Sequence, residues 1–231
     1  MRSQLRWERT IPRDRPIPSR ELRFQEEIRE FLDLLSWEAV LQNSRKKEWV
    51  VADVGAKNFS LAPLIDTLFL ERNCEVEIHG IELDAYRRLS DFYTRADYGR
   101  FFAAKARDAH FHTMDFMNFK KPSDILFLLN PFVTAHPLLS WGLPLKHFRP
   151  QSIFQHAYEL LQLKRGALIL SCPSREEFKA ASEYALNAGF LLGSPVSWKP
   201  QANSLQKKPR LGRICYSNEL NVSDSGNLGS A

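Results

Sequence analysis

Cysteine is scarce: the 231 residues include only Cys74, Cys172 and Cys215. Three separated thiols, odd in number, make no disulfide framework and show no metal-ligand spacing, so a reducing cytoplasm is the expected setting. Long apolar runs are missing too. Nothing approaches the roughly 18 uninterrupted apolar residues that a membrane span needs. The arginine- and proline-rich start has no apolar run behind it, as a secretory leader would, so no membrane partner is expected. There is no internal repeat, which argues against a repeat array. Acidic side chains vanish between Tyr184 and Asn218, where Lys199, Lys207, Lys208, Arg210 and Arg213 lie.

What remains is a core-forming composition. The chain is 44% hydrophobic and 12% aromatic, which suits a packed domain rather than a disordered one. Its formal charge of +5 is compatible with an anionic partner without demanding one.

The organising stretch is Trp49 to Phe59. Trp49 to Val54 is apolar and β-branched, as a strand covered on both faces should be. Gly55 breaks it. Ser60 is placed to cap a helix carrying Leu61, Leu64, Ile65 and Leu68 on one face, with Pro63 in the first turn. Such a strand–turn–helix directs backbone N–H groups at whatever sits over the strand's carboxyl end.

Residues 1–20 read as a basic, proline-containing arm, and 21–48 as a helix packed on the core, with Ser19 its cap. The main domain is expected over 49–220 and a disordered tail over 221–231. Further strands are expected at Glu75–Ile81, His110–Thr113, Asp124–Leu129, Ala167–Ser171, Leu191–Trp198 and Arg213–Ser217. Asp84 would cap a helix holding Leu89, Phe92 and Tyr93, and Ser174 with Glu177 forms a capping box. Val133 to Pro150, with four prolines and glycines, reads as a long loop suited to a lid. Alternating strands and helices give a parallel sheet covered on both faces, its last two strands antiparallel to each other.

Taken singly, the polar residues at strand ends have plain structural roles. Gly55 serves a turn, Glu82 and Asp84 can cap a helix, and Asp115 can hold a turn. Asn130-Pro131 can start a loop. Cys172 reads as a core thiol, because no base lies beside it. His110, His112 and Asp115 are too few and too close in sequence to define a metal site, and none is expected.

In order and spacing, however, these residues resemble the class I S-adenosylmethionine-dependent methyltransferases over roughly Trp49 to Ser217. Asp53-Val54-Gly55 is similar to the start of the family's cofactor loop, and Glu82 to the acid that holds the ribose hydroxyls. Asp115 lies where the family places a residue beside the adenine. Asn130-Pro131-Phe132 is similar to the motif after strand four in the amine-methylating branches.

The resemblance implies a Rossmann-like three-layer α/β sandwich with a seven-stranded, mostly parallel sheet whose last strand is antiparallel. It also implies S-adenosylmethionine as cofactor, held by Asp53, Gly55, Ala56, Asn58, Glu82 and Asp115. Asn130, Pro131 and Phe132 would orient a substrate nitrogen. The chain departs from the family where Lys57 and Phe59 replace the loop's second and third glycines. Both side chains would crowd the cofactor's amino-acid tail unless they turn outward.

Two readings follow. One is a methyltransferase acting on a nitrogen, with RNA or DNA as a candidate acceptor gripped by Lys199, Lys207, Lys208 and Arg210. The other is an inactive module of the same fold that binds nucleic acid or a protein. A nicotinamide-dependent oxidoreductase is disfavoured, because Gly55-Ala56-Lys57-Asn58-Phe59 lacks the glycine spacing for pyrophosphate approach.

Overall fold

The computed structural model describes residues 9–42 and 46–218. The tail expectation at 221–231 and the first eight residues of the arm lie outside the described residues.

One sheet carries the molecule. Its strands are β1 (Glu48–Val54), β2 (Glu75–Ile81), β3 (Ala109–His112), β4 (Ile125–Leu129), β5 (Ala167–Cys172), β6 (Leu191–Leu192), β7 (Val196–Trp198) and β8 (Arg210–Tyr216). The order is β3-β2-β1-β4-β5-β8-β6, with β7 also on β8. β1 runs parallel to both β2 and β4, and β4 parallel to β5, so the two most apolar strands sit side by side at the centre. β8 alone is antiparallel to its neighbours β5, β6 and β7. The sheet has eight strands rather than the expected seven, because Gly193-Ser194-Pro195 splits the sixth into β6 and β7.

Helices cover both faces. On one lie α1 (Ser19–Leu34) and α3 (Ala62–Leu70), where Phe31, Leu32, Ile65 and Leu68 meet Val51, Ile78, Ile125 and Ile169. On the other lie α6 (Pro150–Gln162) and α7 (Arg175–Ala188), where Phe154, Leu161, Ala181 and Ala185 meet Ala52, Leu126, Leu128 and Leu170. Alternate residues of β1 and β4 thus enter opposite cores, as a period of two requires.

Between α1 and β1, Trp37 to Gln42 does not prolong the first helix. Ser36 turns left-handed (φ 51°) and a separate short α2 (Ala39–Gln42) follows. α4 (Arg95–Ala103) packs Tyr98, Phe101 and Phe102 against Ile11, with Ile17 beside them, so these two residues anchor the arm while most of residues 9–16 stay exposed. Arg15 adds a guanidinium 5.9 Å from the Tyr93 ring.

Several local expectations are corrected. No side chain caps α1 or α3: Pro18, not Ser19, precedes α1, and Leu61, not Ser60, precedes α3. The Ser60 carbonyl accepts instead from Gln25 Nε2 at 2.6 Å. No helix forms over Leu89–Tyr93, and Asp84 instead pairs with Arg87 and Arg95. α4 instead starts at a capping box of Thr94 with Asp97. The Ser174 cap is present, its Oγ accepting from Glu177 N at 3.2 Å. Within Val133–Pro150 the chain is not plain loop but forms α5 (Ala135–Ser140) and a 3-10 turn (Leu145–His147).

Candidate functional site

The strand order reverses between β1 and β4, and the crevice over their carboxyl ends is where such sheets take ligands. Here it is a cavity of about 310 Å3, within the range of small-molecule sites. β1 and its turn supply Val54, Gly55 and Lys57; β2 supplies Ile81 and Glu82; β4 supplies Leu129, followed by Asn130, Pro131 and Phe132. The segment after β4 adds Leu138, Trp141, His147 and Arg149 to the lining.

The turn after β1 keeps a glycine-like backbone despite its side chains. Gly55, Lys57 and Phe59 all have left-handed angles, with φ of 71°, 55° and 61°. Left-handed angles are costly for residues with a Cβ, so the surroundings must hold them. For Phe59 the holder is the core. Its ring is fully buried and lies 5.8 Å from that of Phe111, in space left by Gly80. A Cβ built on Gly80 would meet Phe59 Cε2 at 2.6 Å and Cγ at 2.7 Å. Phe59 therefore turns inward beneath the loop and does not crowd the cavity, as the sequence suggested it would. Lys57 is the side chain that does reach the site. Its amide donates to Glu82 Oε2 at 2.8 Å, and its ammonium stands 5.3 Å from the Trp141 ring centroid.

Glu82 is buried at the end of β2, and each of its carboxylate oxygens has a backbone partner. Oε1 accepts from Asp84 N at 2.7 Å and Oε2 from Lys57 N; Arg95 adds an ion pair at 3.5 Å. Burial raises its pKa, opposed by these N–H groups and by Arg95. A carboxylate oxygen can accept more than one hydrogen bond, so the fork can still take a diol. Asp53 is buried beneath the loop, and burial, then the nearby Glu82, lifts its pKa to about 7 against the pull of Lys57. Asp53, Ala56 and Asn58 do not line the cavity. Asp115 does, but its carboxylate pairs with Arg149 and accepts from Met117 N at 3.0 Å.

Asn130 sits left-handed (φ 60°) just past β4, its amide donating to the Ser171 carbonyl at 2.8 Å. Its Oδ1 is buried and has no hydrogen-bond partner among the described residues. Phe132 stands edge-on to Trp141, ring centroids 6.0 Å apart. Trp141 is fixed by Arg87, which donates to its carbonyl, and Arg95 lies 4.7 Å from its ring. Among the described residues the wall therefore holds two buried polar atoms without a hydrogen-bond partner, Asn130 Oδ1 and His147 Nδ1, near the rings of Phe132 and Trp141.

The basic stretch divides. Lys199, Lys207 and Lys208 are exposed and outside the cavity lining. Arg210 is not on that rim at all. It is buried at the head of β8, donating to Ser171 Oγ at 2.9 Å and Gln206 Oε1 at 2.7 Å, and burial lowers its pKa to about 10. Because Leu211 pairs with Cys172, the loop before β8 still stands at the carboxyl edge of the sheet. Sequence reasoning missed Trp141 and Arg149 as site residues. The available signal was a tryptophan inside the stretch already read as a lid.

No protein-family model and no curated protein matches the chain. Solved structures do. Magnesium protoporphyrin IX methyltransferase from Synechocystis PCC 6803, with bound SAM, aligns at a TM-score of 0.51 and 13% identity over 87% of this chain and 86% of that one. A SAM-dependent methyltransferase from Aquifex aeolicus aligns at 0.50 and 15% identity, covering 84% and 98% respectively. Another from Methanosarcina mazei aligns at 0.52 and 9% identity, covering 77% and 96%. At such identities the likeness speaks for the fold. The chain therefore has the Rossmann-like fold of the class I S-adenosylmethionine-dependent methyltransferases.

Proposed function

We propose that the protein is an S-adenosylmethionine-dependent methyltransferase acting on a nitrogen. The observation that carries this reading is Asn130 Oδ1, a buried acceptor without a partner in the cavity wall. A buried acceptor left unpaired costs about 1–3 kcal/mol, so its persistence at a ligand edge points to a donor arriving with the ligand. An amine N–H is such a donor.

The residues present fit the cofactor. Glu82 would hold the ribose hydroxyls with its free lone pairs, and Gly55, which lines the cavity, leaves room beside the backbone. When bound, S-adenosylmethionine supplies a methyl group whose leaving group is already activated. The chain then has little acid–base work to do and acts by orientation and exclusion of water. Asn130 Oδ1 and the Pro131 carbonyl accept from the substrate N–H groups and so aim the nitrogen lone pair. Phe132, in the cavity wall, would stack on a planar acceptor. The lid segment shields the site.

A nucleic-acid acceptor is supported by Lys199, Lys207 and Lys208, exposed at the same sheet edge in a stretch without acids. The test is transfer of labelled methyl to RNA, DNA and small amines, by wild type and by Asn130→Ala. Asn130→Ala should keep cofactor affinity and lose transfer. The second reading, an inactive binding module, draws on Lys57, whose side chain enters the cofactor cavity. No binding of S-adenosylmethionine by wild type at millimolar ligand would favour it.

A further inference from the structure

The loop after β1 has used its own amides. Gly55 N and Ala56 N both donate to the Ile81 carbonyl, at 2.9 and 3.1 Å, and Lys57 N donates to Glu82. Three successive N–H groups that could have formed an anion cradle face inward onto β2 and its end. In their place the loop presents one side-chain cation. The Lys57 ammonium stands at the cavity mouth, accessible, without a hydrogen bond or ion pair among the described residues. The Arg149 guanidinium, which also lines the cavity, is already paired with Asp115. Arg87 and Arg95, which also flank Trp141, pair with Asp84, and Arg95 with Glu82 as well. Lys57 is thus the cation of this cluster with charge to offer.

We propose that the Lys57 ammonium takes the carboxylate of the bound cofactor's amino-acid tail, a contact made by a side chain where the loop's amides are committed elsewhere. This rests on the cofactor reading above. It also gives a reason for a lysine to occupy a left-handed position that glycine would fill without strain. Lys57 keeps solvent access as a residue, but the surrounding crevice desolvates its ammonium; this first, then Arg210 and Arg95, lowers its pKa, which fits a cation that gains from an incoming anion. The competing role for Lys57 is a counter-charge for Asp53 and Glu82, which would support any ligand equally.

The experiment is calorimetry with S-adenosylmethionine and its decarboxylated analogue, which differ only in the carboxylate. Wild type, Lys57→Met and Lys57→Arg are compared. A charge-assisted hydrogen bond is worth about tenfold to a hundredfold in affinity. Lys57→Met should weaken S-adenosylmethionine by about that factor and leave the decarboxylated analogue within about twofold. Lys57→Arg should recover most of the loss. Retained analogue binding also shows that the variant is folded. Equal weakening of both ligands, or no effect on S-adenosylmethionine, overturns the assignment while leaving the cofactor reading intact. If wild type binds neither ligand, both fall.

Discussion

Substituting Gly80 with alanine should damage the fold through Phe59, 21 positions earlier. Gly80 is paired with Asp53 of β1 on one side and Phe111 of the edge strand β3 on the other. The added Cβ would meet two Phe59 ring atoms at 2.6 and 2.7 Å, about 1 Å inside normal carbon contact. The ring cannot easily retreat. It is fully buried, it leans on Phe111, and its backbone is held left-handed. Overpacking of this kind costs roughly 1–3 kcal/mol. For a domain of this size, 2 kcal/mol lowers the unfolding midpoint by about 4–8 °C. Thermal unfolding of Gly80→Ala, Phe59→Leu and the double variant makes the check. Phe59→Leu alone loses buried surface, but it makes room for the new methyl. The double variant should therefore lose less than the sum of the singles, by about 0.5–3 kcal/mol. Strictly additive losses, or a Gly80→Ala midpoint equal to wild type, would refute the interlock between loop and sheet.

Acid should weaken the fold through His79. Burial, aided by Lys121, His112 and His110 and opposed by Glu77, lowers its pKa to about 4. A depressed histidine stays neutral in the fold while the unfolded chain takes up a proton. Stability is therefore lost as pH falls from about 6.5 toward about 4, by up to about 3 kcal/mol. Denaturant titrations at pH 7 and pH 5 should show this, and His79→Gln should flatten the difference. Arg210→Ala, which strips Ser171 Oγ and Gln206 of a buried donor, should cost about 1–3 kcal/mol, whereas Lys207→Ala and Lys208→Ala should stay within about 0.5 kcal/mol. If RNA or DNA is the acceptor, replacing Lys199, Lys207 and Lys208 together by alanine should flatten the log–log salt dependence of binding by roughly two to three, read by anisotropy over a salt series; an unchanged slope removes the nucleic-acid reading.

The centre of this fold was legible because local and global signals agree there. Trp49 to Val54 and Asp124 to Leu129 are apolar enough to require cover on both faces, and they lie side by side. Gly55 marks the turn with its left-handed angle. The misreadings come from side-chain partners that a local pattern does not reveal. Asp84 resembles a helix cap, but the nearby Arg87 and Arg95 claim its carboxylate. Arg210 resembles its basic neighbours, but Ser171, 39 residues away, receives it into the core. Phe59 resembles an obstruction until Gly80 is seen opposite it. Asn130 and Glu82 were found as motif residues, but the unpaired Oδ1 and the committed carboxylate oxygens belong to the fold. Trp141 and Arg149 join the site only through the tertiary placement of the segment after β4.

The central claim is that the cavity over β1 and β2 holds S-adenosylmethionine through Glu82. Glu82→Gln is the informative variant, because alanine would also strip the amides of Lys57 and Asp84 of their acceptor, whereas glutamine keeps one carbonyl oxygen. Calorimetry on wild type should show saturable binding at one site. In Glu82→Gln that binding should weaken by about tenfold or more, because a charged acceptor is lost from the fork. No heat from wild type at millimolar ligand, or equal affinity in the two proteins, would contradict the account.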